Sequence, residues 1–394
     1  MTLYKNYVII SLSHKREKNN KISQGEKVMD LIRERQLKAC KLLRENGFDK
    51  AVIGDPMSVN YLTGIHITPY ERFYALVADA KEETFVMMVP SVDTDCMKGV
   101  VPEKTYLDEN GPAALIKETI GECGKLAVEK KYFNMMIGEI FTSLPCEVAD
   151  IGDSISRLRM YKDAKEIEAM QTAAEIVDKA VDYVFDKIKP GMTEAELNMM
   201  LLTYMSQYPG FSTEEIIILV QAADNSANPH GASGDYQFKE GDIVLMDFCA
   251  YYKGYWSDTT RCLFVGHVGH PKLEEIYNIV LEANLAAIAK VKPGVKAKEI
   301  DKAARDYITE KGYGEFFLHR TGHGLGLSVH EEPYITGVNE IVLEEGMTFT
   351  IEPGIYLQGI GGVRLEDDIL VTADGCITLT HRSKKLEDSI IPIK

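Results

Sequence analysis

Apolar residues set a helical rhythm from Met29 onward. Leu31, Ile32, Leu37, Leu42 and Leu43 recur at spacings that share one face, and Gly47 closes the run. Short strand-like runs follow at 51–53, 73–77 and 84–89. A helical pattern at 113–119, a strand at 126–129 and a second helix at 135–141 complete the series. Strands interleaved with helices predict a small α/β domain over residues 29–158. Residues 1–28, rich in Lys, Asn and Ser, keep no period and read as a loosely ordered extension.

A mostly polar stretch, 157–162, marks the boundary to a second domain, 159–394. It opens with a long helix whose stripe runs through Ile167, Met170, Ala174, Val177, Val181, Val184 and Ile188. The pattern then repeats itself. Lys189-Pro190-Gly191-Met192-Thr193-Glu194-Ala195-Glu196-Leu197 has its counterpart at 292–300, and Thr193 with Glu196 has the spacing of a capping box. Glu240-Gly241-Asp242-Ile243-Val244-Leu245-Met246-Asp247 has its counterpart at 345–352. Two matches in the same order predict an α+β domain with an internal pseudo-twofold repeat. Each half gives helix, helix, then antiparallel strands, and the repeated strands end in Asp247 and Glu352.

Composition narrows the partners. With 45% hydrophobic and 26% charged residues, the bulk of the 394-residue chain is neither disordered nor fibrous. The 60 acidic residues against 44 basic ones give a net charge of −16, which disfavours nucleic acid and anionic membranes as partners. Apolar runs such as 216–220 fall far short of the roughly 20 residues that span a bilayer. The stretch 7–10 is too short for the core of a secretory signal. Seven scattered Cys without a Cys-x-x-Cys read as reduced thiols, so a cytoplasmic location is expected.

The candidate chemistry is acidic. A hairpin with a two-residue turn at Tyr252-Lys253 sets Asp247 opposite Asp258, with Cβ atoms roughly 4.5–5.5 Å apart. Like charges so placed call for something positive between them. Thr348, Thr350 and Glu352 share a strand face, as do Arg364 and Glu366 in a single strand expected over 363–371. Between these regions His319, His323 and His330 crowd a Gly-rich run. It is no dinucleotide loop, because the third glycine of G-x-G-x-x-G is replaced by Leu327. Four carboxylates and one imidazole suit two divalent ions about 3.5–4 Å apart, which would turn a bridging water into hydroxide near neutral pH. Such oxygen-rich ligation favours Mn²⁺, with Co²⁺ or Zn²⁺ as alternatives.

Seven pieces of the second domain resemble, in order, the motifs of the pita-bread metallopeptidases. They are Asn228-Pro229-His230-Gly231, Met246-Asp247-Phe248, Ser257-Asp258-Thr259-Thr260-Arg261, Gly322-His323-Gly324-Leu325-Gly326, Val329-His330-Glu331, Ile351-Glu352-Pro353-Gly354 and Val363-Arg364-Leu365-Glu366-Asp367-Asp368. That group includes the proline dipeptidases (prolidases), aminopeptidase P, methionine aminopeptidase and creatinase. The resemblance covers residues from about 160 to 394, and the first domain resembles the creatinase-like domain that precedes it in several members.

The resemblance implies a role for each position. Asp247 would bind one metal, Asp258 and Glu366 would bridge two, and His323 and Glu352 would complete the other site. Glu352 would also take the proton of the bridging water. His330 would stabilise the tetrahedral intermediate, while His230 and His319 would line substrate subsites. Arg364 and Tyr356 would support the ligands from behind. Creatinase itself lacks the full ligand set that this chain keeps. Tyr313 to Arg320 and Thr380 to Lys384 look most like bacterial proline dipeptidases.

The implied activity is therefore metal-dependent hydrolysis of the imide bond before proline in short Xaa-Pro peptides, by a homodimer. The alternatives are aminopeptidase P, acting on longer Xaa-Pro peptides, and a non-catalytic peptide-binding module. His66, Glu71 and Arg72 could reach the site from the first domain. Arg320 and Arg72 are the candidate cations for a substrate carboxylate.

Overall fold

The computed structural model describes residues 29–213 and 216–393, so the extension expected over 1–28 lies outside the described residues. The chain divides between Leu158 and Arg159 into two units. In the first, a six-stranded sheet runs in the order Glu103–Tyr106, Thr84–Pro90, Ala75–Asp79, Lys50–Ile53, Lys125–Val128, Glu147–Asp150. The two pairings within 50–90 are antiparallel, whereas Lys50–Ile53 pairs parallel with Lys125–Val128 on its other side. The expected helices form at 29–45, Ala113–Ile120 and Met135–Thr142. Val52, Val77, Met88, Ile116, Leu126 and Phe141 meet in its core.

Periodicity alone leaves out the short helix Pro56–Thr63. Asp55 caps it by accepting from the backbone N–H groups of Met57 and Ser58, Pro56 occupies the first turn, and Gly64 ends it at φ 69°. Eight residues are too few for a helical period to stand out, yet Asp-Pro is a helix-start signal.

In the second unit each half builds a helix pair on strands. Ala164–Phe185 starts at a capping box of Asp163 and Glu166, and Glu194–Met205 at the expected box of Thr193 and Glu196. This pair buries Val177, Val181, Leu197 and Leu201 against Val220, Met246 and Phe248 of the sheet Ile390–Ile391, Tyr255–Val265, Ile243–Tyr252, Ile218–Ala222. The second pair, Pro271–Lys290 and Ala297–Glu310, buries Ile276, Val280 and Ile300 with Phe349 and Ile369. Its sheet runs Glu331–Ile335, Gly322–Gly324, Thr348–Ile351, Asp367–Val371, Cys376–Thr378. Each such apolar side chain contributes about 1.5–3 kcal/mol of burial, so the helix pairs hold both strand layers in place.

Two expectations are corrected. The hairpin turns at Lys253 and Gly254, with φ of 50° and 89°, so Tyr252 pairs with Tyr255. Both central residues are left-handed, as a two-residue turn that matches strand twist requires, and Gly254 adopts that conformation without strain. Asp247 therefore pairs with Thr260, and Asp258 with Cys249. The two carboxylates are diagonal neighbours rather than opposed. A shift of two residues preserves the face, so they still point to one side.

The second correction concerns 363–371, which is two strands. Gly361–Arg364 pairs with Gly354–Leu357, whereas Asp367–Val371 pairs with Thr348–Ile351. The chain turns a corner at Leu365-Glu366, where the N–H of Glu366 donates to the Thr260 carbonyl at 3.2 Å. Glu366 thus projects from a corner between two ladders.

Candidate metal centre

The concave side of these strands carries a cavity of about 420 Å³ whose lining includes Asp247, Asp258, His323, Glu352 and Glu366. His230, His319, His330, Arg320 and Arg364 line it too. These ten residues, each singled out from sequence, therefore meet in one place. His66, Glu71 and Arg72 belong to the first unit, where Arg72 pairs with Glu71 at 2.9 Å and Asp108 at 3.0 Å.

His323 sits in a three-residue strand squeezed between two neighbours. A β-carbon on Gly322 would lie 1.8 Å from the Thr350 carbonyl oxygen, and one on Gly324 would lie 2.2 Å from that of Glu332. Only glycine permits this approach, and it brings the imidazole down to the carboxylates. Gly322→Ala is expected to destabilise the protein by about 1–3 kcal/mol through overpacking. Thermal unfolding checks this, and an unchanged Tm would refute the close-approach argument.

The ligand-type atoms of Asp258, His323 and Glu366 all lie within 4.8 Å of one another, and all three residues are buried. His323 Nε2 is 3.4 Å from Glu352 Oε1 and 3.8 Å from Asp258 Oδ2. Its Nδ1 lies 3.1 Å from the Gly324 carbonyl oxygen, which can only accept. The proton therefore sits on Nδ1, and Nε2 turns a lone pair toward the carboxylates. Burial, together with the neighbouring His330, holds the imidazole well below the usual histidine range, so it is neutral.

The carboxylates are crowded. Burial, and then the charges of Asp247, Asp368 and Glu352, push Asp258 well above the ordinary range. Burial and the charges of Asp258, Glu352 and Asp247 do the same to Glu366. Glu352 is pushed up to about 7 by burial, Arg364 opposing and Asp247 adding to the shift. Asp258 Oδ1 is buried with no hydrogen-bond partner among the described residues. An orphaned carboxylate oxygen, a lone pair on a neutral imidazole and further carboxylates around them fit a divalent cation: each donor has a reason to be there once a positive charge is supplied.

The surrounding side chains fix these groups. Arg364 pairs with Asp247 and donates to Tyr356 Oη at 2.8 Å and Thr260 Oγ1 at 3.1 Å. Thr260 donates to Glu366 Oε2 at 2.6 Å. His319 has its Nδ1 2.8 Å from the Arg320 carbonyl oxygen, so its Nε2 accepts from Tyr356 Oη at 2.7 Å. Burial and Arg364 push His319 down to about 3, so it stays neutral. The result is a directed chain from Arg364 through Tyr356 to His319. Asp368 accepts from Ser257 Oγ at 2.6 Å and from the backbone N–H of Asp258.

Thr260, Asp368 and Cys249 were not singled out from sequence. Thr260 and Cys249 share the alternating strand face of Asp247 and Asp258, which was the available signal. Cys249 lines the cavity and is held as a neutral thiol by burial and the nearby carboxylates. His330 stands exposed at the cavity, its ring edge-on to His323 at 4.3 Å between centroids.

Known proteins match this chain along most of its length. The profile of metallopeptidase family M24 matches residues 168–373, and that of the creatinase/prolidase N-terminal domain matches 35–161. An uncharacterized peptidase of Staphylococcus aureus is 40% identical over 343 residues, covering 85% of this chain and 95% of that protein. A prolidase from Pyrococcus horikoshii superposes with a TM-score of 0.81 at 34% identity, covering 90% of this chain and 99% of the other. An X-Pro aminopeptidase from Thermotoga maritima superposes at 0.77 and 31% identity, with 90% and 99% covered. Among the described residues no helix is long and apolar enough to cross a membrane.

Proposed function

The chain belongs to metallopeptidase family M24, with a creatinase/prolidase N-terminal domain ahead of a pita-bread domain, and from that premise we propose that it is a dinuclear Xaa-Pro dipeptidase. Divalent metal ions come with the family. The observation that carries the reading is the convergence of ligand-type atoms of Asp258, His323 and Glu366 within 4.8 Å of one another, with one Asp258 oxygen left without a hydrogen-bond partner among the described residues. Asp247, Asp258, His323, Glu352 and Glu366 would hold the ions, and four carboxylates balance two dications.

When bound, such ions lower the pKa of a coordinated water and polarise the scissile carbonyl. The side chains supply the rest. Glu352, which lines the cavity beside His323, would accept the proton of the attacking water. His330 would stabilise the negative charge that develops on the carbonyl oxygen, while His230 and His319, which line the same cavity, would border the substrate subsites. Arg364 keeps Asp247 aligned and, through Tyr356, holds the His319 ring at the substrate wall. Proline lacks an amide N–H and has a fixed φ, so its imide bond calls for a dedicated site.

A dipeptidase must grip both ends of its substrate. Arg320 lines the cavity, stacks over the Tyr334 ring at 4.7 Å and makes no ion pair among the described residues, which suits it to the proline carboxylate. Adding a residue after proline would strip that contact. Xaa-Pro is therefore expected to be cleaved at least about tenfold better in kcat/KM than Xaa-Pro-Yaa, a gap of about 1.4 kcal/mol. Arg320→Met should narrow the gap by raising KM for the dipeptide alone. Equal or faster cleavage of the tripeptide would turn the assignment to aminopeptidase P, the activity of the Thermotoga relative, and leave the metal centre untouched.

A further inference from the structure

Two proposed metal ligands, Glu352 and Glu366, come from segments that leave their strands at that point. Thr348–Ile351 ends just before Glu352, and Gly361–Arg364 ends just before Leu365-Glu366. One side chain joins the two segments. Asn284, fully buried in the helix Pro271–Lys290, donates through Nδ2 to the Ile351 carbonyl at 3.0 Å and to the Leu365 carbonyl at 3.2 Å. These are the carbonyls of the residues immediately before Glu352 and Glu366. A peptide unit is planar, so fixing each carbonyl fixes the plane that carries the N–H of the following glutamate. A single amide group thus sets the aim of two side chains.

An amide works this way only if its NH₂ and not its oxygen faces the carbonyls. Lys384 enforces that choice. Its Nζ donates to Asn284 Oδ1 at 2.6 Å, on the other side of the amide. Lys384 also pairs with buried Asp367, the residue after Glu366, which is held on its other oxygen by Arg261 at 2.9 Å and by Thr380 at 3.1 Å. Neither Asn284 nor Lys384 lines the cavity.

We propose that Asn284, oriented by Lys384, is a positioning residue that clamps Glu352 and Glu366 at the spacing the metal ions require. The inference rests on the reading of those glutamates as metal ligands. Supporting groups of this kind are worth about 10–100-fold in metal affinity.

The test is titration calorimetry of Mn²⁺ into the full-length metal-free protein, with Tm measured alongside. Asn284→Leu keeps the branched shape, though in a larger side chain, and removes both donated bonds. Lys384→Met keeps the amide but frees it to flip, and Asp367 retains Arg261, so this variant serves if the first does not fold. Val280→Ala, buried on the same helix, is the control for a merely structural effect. Asn284→Leu and Lys384→Met are expected to weaken Mn²⁺ binding at least about tenfold, with kcat falling while KM for the dipeptide changes little. Val280→Ala should lower Tm and leave the affinity alone. Affinities of both clamp variants within about twofold of the parent, or an equal loss in Val280→Ala, would overturn the clamp while the metal reading stands. A parent protein that takes up no divalent ion would overturn the metal reading, and the clamp with it.

Discussion

Asp258→Asn should abolish metal uptake and lower kcat/KM by about 10³-fold or more, yet leave the metal-free protein as stable as its parent. The first half follows from the loss of one of the four proposed anionic donors, and with it the charge stabilisation an ion supplies to the reacting groups. The second half follows from the physics of the metal-free site. Burial and the charges of Asp247, Asp368 and Glu352 raise the Asp258 carboxyl well above its ordinary range, so a negative charge there is disfavoured until an ion arrives. Asparagine is close to a protonated aspartate in shape and charge, so little changes until an ion arrives. Chelation of the parent should reproduce the kinetic loss, and Mn²⁺ or Co²⁺ should reverse it in the parent only. Full activity in protein shown to be metal-free would end the assignment, and a large fall in the Tm of the metal-free variant would end the argument about protonation.

His330→Ala should behave in the opposite way. The ring stands exposed at the cavity, edge-on to His323, and is not among the three residues whose ligand atoms converge within 4.8 Å. Metal content should stay at the parent's level. What is lost is a donor aimed at charge that develops only in the transition state, worth about 10²–10³ in kcat with little change in KM. Metal analysis beside steady-state kinetics checks both halves. Loss of the ions from His330→Ala, with retention in Asp258→Asn, would reverse the two roles.

How much of this was legible before the fold was known depends on the range of the interaction. Helical stripes such as Ile167 to Val184, and the capping pair Thr193 and Glu196, are local and read directly, although the helix ends at Phe185, short of the Ile188 expected in it. The alternation that puts Asp247 and Asp258 on one face is also local, and it survives the register change. The register itself was misread because it turns on the conformations of Lys253 and Gly254, which set the turn one residue later than expected. The corner at Leu365-Glu366 was missed because nothing within 363–371 announces a change of partner strand. Thr260, Asp368 and Asn284 stayed hidden for the same reason: their hydrogen-bond partners lie far away in the chain. What sequence offered for the site was the residue types and their order, while distances and supporting bonds are products of tertiary packing.

The spread of the site along the chain bears on how the protein matures. Asp247 and Asp258 are synthesised first, His323 follows, then Glu352 and Glu366, and Lys384 after all of them. A nascent chain that has made the hairpin of 243–265 holds two of the five proposed donors and none of the proposed clamp. An ion has no finished site to enter at that stage and cannot serve as a template for the hairpin. The first half must fold without a completed site, and loading comes as the closing step, after the segments bearing His323, Glu352 and Glu366 have docked. In a cell short of the ion, the product of synthesis would be a folded, inert protein awaiting activation rather than a misfolded one awaiting disposal.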